Sequence, residues 1–397
     1  MVNVGHQNSK IIEAMKKQLD SFVFSPALHG VNPQAIRLAS LVSRIAPGNL
    51  RRVKLLTGGS EVTEAAMKMA KQYHKIIGNQ RKYKILSFYD SYHGATMGAM
   101  SATGKSSYKK YYQPLMEGFI HVHSHNCYRC PFDQEYPDCN ILCARVIERT
   151  IEKEDPESIA GMIIEPIINI HGIVTPPPEY LPMIRELCSR HKIVLIYDEI
   201  ITGFGRTGEI FAANTFDAIP DIICCGKGMS SGYAPLAAFL VSEEINDAFW
   251  GDSSEIEFAH GHTYGCHELA ATAGIAAIGE LLDRDLPGNA RRMEGYVKEK
   301  LKILDNRFGI IGDIRGKGLM IGAEIVRNKV TKERFPTEIS IGKRISKACL
   351  KNGLLLRAEA HWFSIAPPLI ATKNDMDEIF VILEKSIEQV LKDLPKF

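Results

Sequence analysis

The 397-residue sequence has no apolar run long enough to span a bilayer as a helix. It has no block of like charge either, since 48 Lys and Arg against 46 Asp and Glu leave a formal net charge of +2. The electrostatic footprint that nucleic acid or an anionic membrane surface would require is therefore missing. Internal repeats and low-complexity tracts are absent too. The opening stretch MVNVGHQNSKIIEAMKKQLDSF has no basic region followed by an apolar one. It reads as a turn and an amphipathic helix, not a secretory signal, and a cytoplasmic protein is the expectation. Apolar mass is what the chain does have. At 45% hydrophobic residues it can fill a large core, and its length suggests two or three domains.

Nine cysteines are more than such a protein needs. Cys188, Cys224, Cys225, Cys266 and Cys349 stand in apolar or helical contexts, where core packing is expected. The other four fall together in CYRCPFDQEYPDCNILC as Cys127, Cys130, Cys139 and Cys143. A C-x2-C pair followed by a second close pair is a zinc pattern, although the second spacing is not a standard one. The competing reading is a compact loop with reduced or disulfide-linked thiols. A metal there would be structural, and no catalytic metal is expected.

Between about residues 50 and 280, short apolar runs alternate with helical patterns. The runs are RVKLLT, YKILSFY, AGMIIEP, KIVLIYDE, DIICCG and LAAFLVS. Several are apolar at successive positions, as strands covered on both faces are. One helical pattern, residues 61–77, puts Val62, Ala65, Ala66, Met69 and Tyr73 on one face. This alternation predicts an α/β protein with a mainly parallel sheet, and binding residues at the carboxyl ends of its strands. Later, GIIGDIRGKGLMIGAEIV reads as hairpin-rich, and DMDEIFVILEKSIEQVLKDL as a closing amphipathic helix. Three segments are expected: 1–35 packing with the smaller unit, 36–289 as the large unit, and 290–397 as a small α+β unit.

Four strand ends carry polar residues that an apolar strand does not need. VLIYDEIITGFG ends on Asp198 and Glu199, and a carboxylate carried from a buried strand needs a partner. LLTGGSEVTEAAMK passes through Gly59 and Ser60 into a helix, where free N–H groups favour an anion such as phosphate. Helix capping would explain Ser60 equally well. FYDSYHGATMG puts Tyr92 and His93 before Gly94 on a strand-to-helix turn, where a ring could lie against a planar ligand or pack in the core. DIICCGKGMSSG sets Lys227 between two glycines at the end of an apolar strand. Burial disfavours its charge, and a neutral amine is a nucleophile towards aldehydes. A lysine, an aspartate, a phosphate-type helix start and an aromatic ring at one sheet edge fit pyridoxal phosphate.

On these residues the chain resembles the class III, fold-type I, pyridoxal-phosphate-dependent aminotransferases over nearly its whole length. The motifs are TGGSEVTEAAMKMAK, SYHGATMGAMSATG, IIEPI, IYDEIITGFGRTGEIFA, CCGKGMSSGYAPLAA, HGHTYGCHELAA and RAEAHWFSIAPPL. The resemblance implies a large domain with a mainly parallel seven-stranded sheet flanked by helices, a smaller α+β domain, and pyridoxal 5'-phosphate as cofactor. By the same resemblance Lys227 would bind the cofactor covalently and then shuttle a proton, and Asp198 would hold the pyridine nitrogen protonated. Tyr92 and Ile200 would cover the two ring faces. Gly59 and Ser60 would hold the phosphate with Thr263 from a neighbouring subunit, and Glu165 would support the network around Asp198. A homodimer, or a tetramer built from it, is implied.

Within the family, EPIINIHG has Ile170 where the glutamate-linked branch carries a second glutamate, and DEIITG has Ile201 where a glutamine is common. RAEAHWFSIAPPL is similar to the pyruvate-dependent ω-aminotransferases, in which the arginine at the Arg357 position binds the substrate carboxylate and swings aside for uncharged amines. Its paired donors suit a carboxylate. Members of that branch usually carry a few dozen residues before the run that opens this chain, and those help line the substrate pocket and the dimer interface; either the sequence is short here or the pocket is completed differently. The implied reaction is ping-pong transfer of an amino group from an ω-amino acid or amine to pyruvate or a similar 2-oxo acid. A 2,2-dialkylglycine-decarboxylase-like or semialdehyde-aminomutase-like enzyme is the alternative. Two readings from other classes explain less. GFGRTG matches a dinucleotide fingerprint but does not open directly from a strand. A zinc-stabilised binding protein leaves Lys227 and Asp198 without a purpose.

Overall fold

The structure, a computed structural model, describes residues 1–27, 30–253 and 256–394. Seven strands form the main sheet: β1 (Arg52–Leu56), β2 (Lys84–Phe88), β3 (Phe119–Val122), β4 (Ile159–Ile164), β5 (Val194–Asp198), β6 (Ile222–Cys225) and β7 (Ala237–Val241). Their order is β1-β7-β6-β5-β4-β2-β3. Strands β4 to β7 are buried at every position, so both faces are covered and the sequence runs apolar without alternation. The helix Gly59–Ile76 covers one face, burying Val62, Ala65, Ala66 and Met69 at helical spacing. On the other side the helices Ser9–Leu19 and Pro33–Ile45 pack against Glu268–Asp283.

Strand direction fixes where the site falls. Strands β3, β2, β4, β5 and β6 pair in parallel, so their carboxyl ends share one edge. Strand β7 runs antiparallel to both β6 and β1. Two reversals restore the direction, and the carboxyl end of β1, leading to Gly58–Ser60, reaches that same edge.

The second sheet is antiparallel, in the order β10 (Arg357–Glu359), β11 (Trp362–Ile365), β9 (Met320–Ile325), β8 (Ile311–Lys317). The helix Leu286–Phe308 packs on β8 and β9, and the closing helix Lys373–Lys392 lies against that helix and Ile341–Lys351. Arg206, 3% exposed, fastens the two sheets together. It donates to Leu319 O (3.0 Å), Pro367 O (2.5 Å) and Asn3 Oδ1 (2.8 Å). The first residues touch both parts. Leu369 N donates to Asn3 O (2.8 Å), and Asn8 Nδ2 donates to Glu280 Oε2 (2.9 Å) on the helix Glu268–Asp283. The division at residues 36 and 290, with 1–35 assigned to the smaller unit, stays a proposal.

Cys127, Cys130, Cys139 and Cys143 line one small cavity and none is in a disulfide. Among the described residues no group of three or more His, Cys, Asp or Glu side chains is arranged to hold a metal ion. Their loop is docked by Arg129, which pairs with the buried Glu324 on β9 and donates to Lys332 O (2.8 Å). Cys188, Cys224, Cys225 and Cys349 are buried as expected. Cys266 is only partly buried, because its loop runs along the surface before the helix Glu268–Asp283 begins.

Candidate active site

Lys227 follows β6 after the single residue Gly226. It adopts φ +36°, a left-handed conformation that lysine rarely takes, and such strain collects at functional positions. Its flanking glycines make the close approach possible. A Cβ on Gly228 would sit 2.4 Å from Asn3 Nδ2, and one on Gly226 3.2 Å from Ile200 Cδ1. Burial lowers the Lys227 pKa, an effect the carboxylates of Asp198 and Glu165 oppose and the Arg357 charge reinforces.

Asp198 ends β5, Glu199 follows it, and the two have opposite destinations. Asp198, 7% exposed, faces the cavity that Lys227 lines; its Oδ2 lies 2.9 Å from His93 Nδ1 and its Oδ1 accepts from Ile200 N (3.2 Å). Glu199 turns away and binds the chain itself, accepting from Ala212 N (2.6 Å), Ala213 N (2.9 Å) and Thr202 Oγ1 (3.0 Å). Burial raises it to about 7. Glu165, at the end of β4, accepts from Tyr92 N (2.9 Å) and Asn169 N (3.2 Å). Burial raises it to about 7 as well, the nearby Asp198 adding to the shift. The Tyr92 backbone is thus pinned by Glu165, while its ring meets Tyr108 edge-on at 5.9 Å.

The N-terminus of the helix Gly59–Ile76 is capped by Gly58, which has no side chain to satisfy the first N–H groups. Ser60 does not cap the helix: its hydroxyl accepts from Ala95 N (3.0 Å), tying the helix start to the turn after β2. Gly94 makes that possible, since a Cβ there would lie 2.6 Å from Ser60 Oγ, and its φ of +143° favours glycine.

One cavity gathers Gly59, Ser60, Tyr92, Glu165, Asp198, Ile200 and Lys227. A second, meeting it at Lys227 and Ile201, is lined by Arg357 and by apolar residues including Leu356 and Ile365. Thr263 lines neither cavity and is exposed. His93, marked in the sequence only as the neighbour of Tyr92, joins the site through Asp198. Its ring is buried, its backbone N–H donates to Thr103 Oγ1 (3.0 Å), and its backbone carbonyl accepts from Thr63 Oγ1 (2.7 Å). A carboxylate only accepts, so Nδ1 carries the proton towards Asp198. The only signal in the sequence was adjacency to Tyr92 and Gly94.

A family model of class-III aminotransferases matches residues 1–387. Among curated proteins the chain is similar to the adenosylmethionine-8-amino-7-oxononanoate aminotransferase of Geobacter sulfurreducens. The two are 36% identical over 395 residues, covering 97% of this chain and 85% of that one. Among solved structures it is similar to a thermostable (S)-enantioselective omega-transaminase from Thermomicrobium roseum, with a TM-score of 0.91, 35% identity and coverage of 99% and 86% of the two chains. It is also similar to an amine transaminase from an uncultivated Pseudomonas species in its PLP-bound form, with a TM-score of 0.94, 33% identity and coverage of 98% and 88%. The site fits that cofactor. It offers a half-buried amine on Lys227, a buried carboxylate on Asp198, uncapped helical N–H groups at Gly59 and Ser60, and a cradle that a Cβ on Gly94 would fill. The chain belongs to the class-III aminotransferases, enzymes that depend on pyridoxal 5'-phosphate.

Proposed function

We propose that this aminotransferase takes an amino group from an ω-amino acid or simple amine and delivers it to pyruvate or a similar 2-oxo acid, in two half-reactions of a ping-pong cycle. What carries the reading is that Lys227 and Arg357 line one cavity, together with apolar residues such as Leu356 and Ile365. The amine of Lys227 and a carboxylate-binding guanidinium therefore face the same substrate space. When bound, pyridoxal phosphate supplies an electron sink for the carbon that carries the amine.

The chain's own groups have separate tasks in this scheme. Lys227, with its charge disfavoured by burial, accepts the proton from the substrate carbon bearing nitrogen and returns it on the other side of the transfer. Asp198, steadied by His93, would keep the pyridine nitrogen of the bound cofactor protonated. Gly59 and Ser60 anchor the phosphate through N–H groups and a hydroxyl. Tyr92 and Ile200 fix the ring plane, and Glu165 fixes Tyr92. We also propose a homodimer in which Thr263 completes the partner's phosphate site, consistent with its exposure outside this chain's cavities. Arg357 selects donors with a carboxylate.

The test is the holoenzyme's absorption spectrum. β-Alanine or 1-phenylethylamine should bleach the long-wavelength band, and pyruvate should restore it. Recovery only with a different oxo acid would replace pyruvate as acceptor. Carbon dioxide release from 2-aminoisobutyrate would favour the decarboxylating alternative, which no present observation does. Lys227→Ala should lose turnover, and activity near the unmutated level would sink the assignment of Lys227. Arg357→Ala should raise KM for β-alanine at least about tenfold and leave 1-phenylethylamine within about twofold.

A further inference from the structure

Arg357 opens β10 as an exposed residue, and among the described residues its guanidinium makes no hydrogen bond or ion pair. Its one partner is aromatic: Cζ lies 5.6 Å from the centre of the Trp362 ring. The hairpin creates this contact. Arg357 pairs with Ser364 and Glu359 with Trp362, so all four side chains share one face, with Arg357 and Trp362 diagonal neighbours. Glu359, the carboxylate on that face, is taken by Lys343 at 3.1 Å. The indole is a fixed surface. Trp362 is 8% exposed, pairs with Glu324 on its other side, and packs so closely on Gly172 that a Cβ there would lie 2.8 Å from Trp362 Cγ.

The geometry points to Trp362 as the resting platform of Arg357, and so to a specificity-determining residue one step removed from the substrate. This rests on the proposed role of Arg357 in binding the substrate carboxylate. The platform has the right strength for the task. A cation over an indole face is held, but a bidentate carboxylate holds it better. With a carboxylate donor, Arg357 leaves the ring for the substrate; with a neutral donor it stays on the ring and leaves the apolar cavity open. A carboxylate in place of the indole would pin the guanidinium, and an aliphatic residue would let it wander into the cavity.

The experiment compares β-alanine with 1-phenylethylamine as donors to the holoenzyme. Trp362→Leu should lower KM for β-alanine and raise KM for 1-phenylethylamine, each about two- to fivefold, with kcat little changed. Trp362→Phe, which keeps a π face, should restore most of the difference. On an Arg357→Ala background Trp362→Leu should shift neither KM relative to the other. Movement of both KM values in one direction, or a Phe variant equal to Leu, overturns the inference. The two proposals fail separately. Equal losses in Arg357→Ala would remove the role of Arg357, whereas a selective Arg357→Ala with a non-selective Trp362→Leu removes only the platform. A readout on the folded enzyme covers the case in which Trp362 variants do not fold. The chain has two tryptophans, so Trp250→Phe leaves Trp362 as the sole indole emitter. Propionate should change that emission and propionamide should not, while absence of any propionate response overturns the platform.

Discussion

Gly94→Ala tests the phosphate end of the site through the position of Ser60. The new Cβ would lie 2.6 Å from Ser60 Oγ and 2.6 Å from Ala99 Cβ, on a backbone at φ +143°. The backbone strain costs about 1–3 kcal/mol, and losing the Ser60 bond to Ala95 N adds about 1 kcal/mol. The apoprotein should therefore lose about 2–4 kcal/mol. Ser60 must move, and a hydrogen bond to a charged phosphate is worth about 1.5–3 kcal/mol, so cofactor Kd should rise roughly ten- to hundredfold. Gly78→Ala is the control. Its φ of +89° brings comparable strain, but nothing lies within 4 Å of its Cβ. Titrating both apoproteins with pyridoxal phosphate, with denaturant melts alongside, separates the two effects. A Gly94→Ala protein that is destabilised but binds cofactor as tightly as Gly78→Ala would refute the placement of Ser60 on the phosphate.

The raised carboxyls predict a pH signature. Glu165 and Glu199 titrate near 7 when folded and near 4.5 when unfolded, so the folded chain keeps protons that the unfolded chain releases, and each should cost stability as pH rises through that window. The full cost is about 3 kcal/mol per group. His74, His121 and His125, lowered to about 4 by burial, act in the opposite direction. The measurement is therefore a difference: Glu165→Gln should gain on the unmutated apoprotein between pH 5 and pH 7.5 in urea melts, and a constant gap would contradict it. Lys82 offers a purely structural test. Fully buried, it donates to Pro156 O (2.9 Å), Ile159 O (3.0 Å) and His191 O (3.1 Å). Lys82→Met should cost about 2–4 kcal/mol by stranding carbonyls, and a change within about 0.5 kcal/mol would show that water replaces it.

Much of this protein was legible in one dimension. Apolar runs without alternation in β4 to β7 required helices on both faces, and Lys227 stood out between two glycines at the end of one such run. These properties are local, set by side-chain periodicity and by backbone sterics within a few residues. What lay beyond reach was long-range. Asp198 and Glu199 are adjacent and chemically alike, yet strand alternation sends one into the cavity and the other to Ala212 and Ala213. His93 gains its meaning from an oxygen 105 residues away. Ser60 could be read from the sequence as a phosphate ligand or as a cap; the cap position falls on Gly58, and the Ser60 hydroxyl ties the helix start to Ala95. The sequence by itself determined the alternating architecture, the edge where chemistry would collect and the residue types of the cofactor site. Only the tertiary structure decided which of two neighbouring carboxylates faces that edge, which histidine steadies it and what Arg357 rests on. Those outcomes depend on strand order, strand direction and hairpin register, which bring together side chains that the chain keeps far apart.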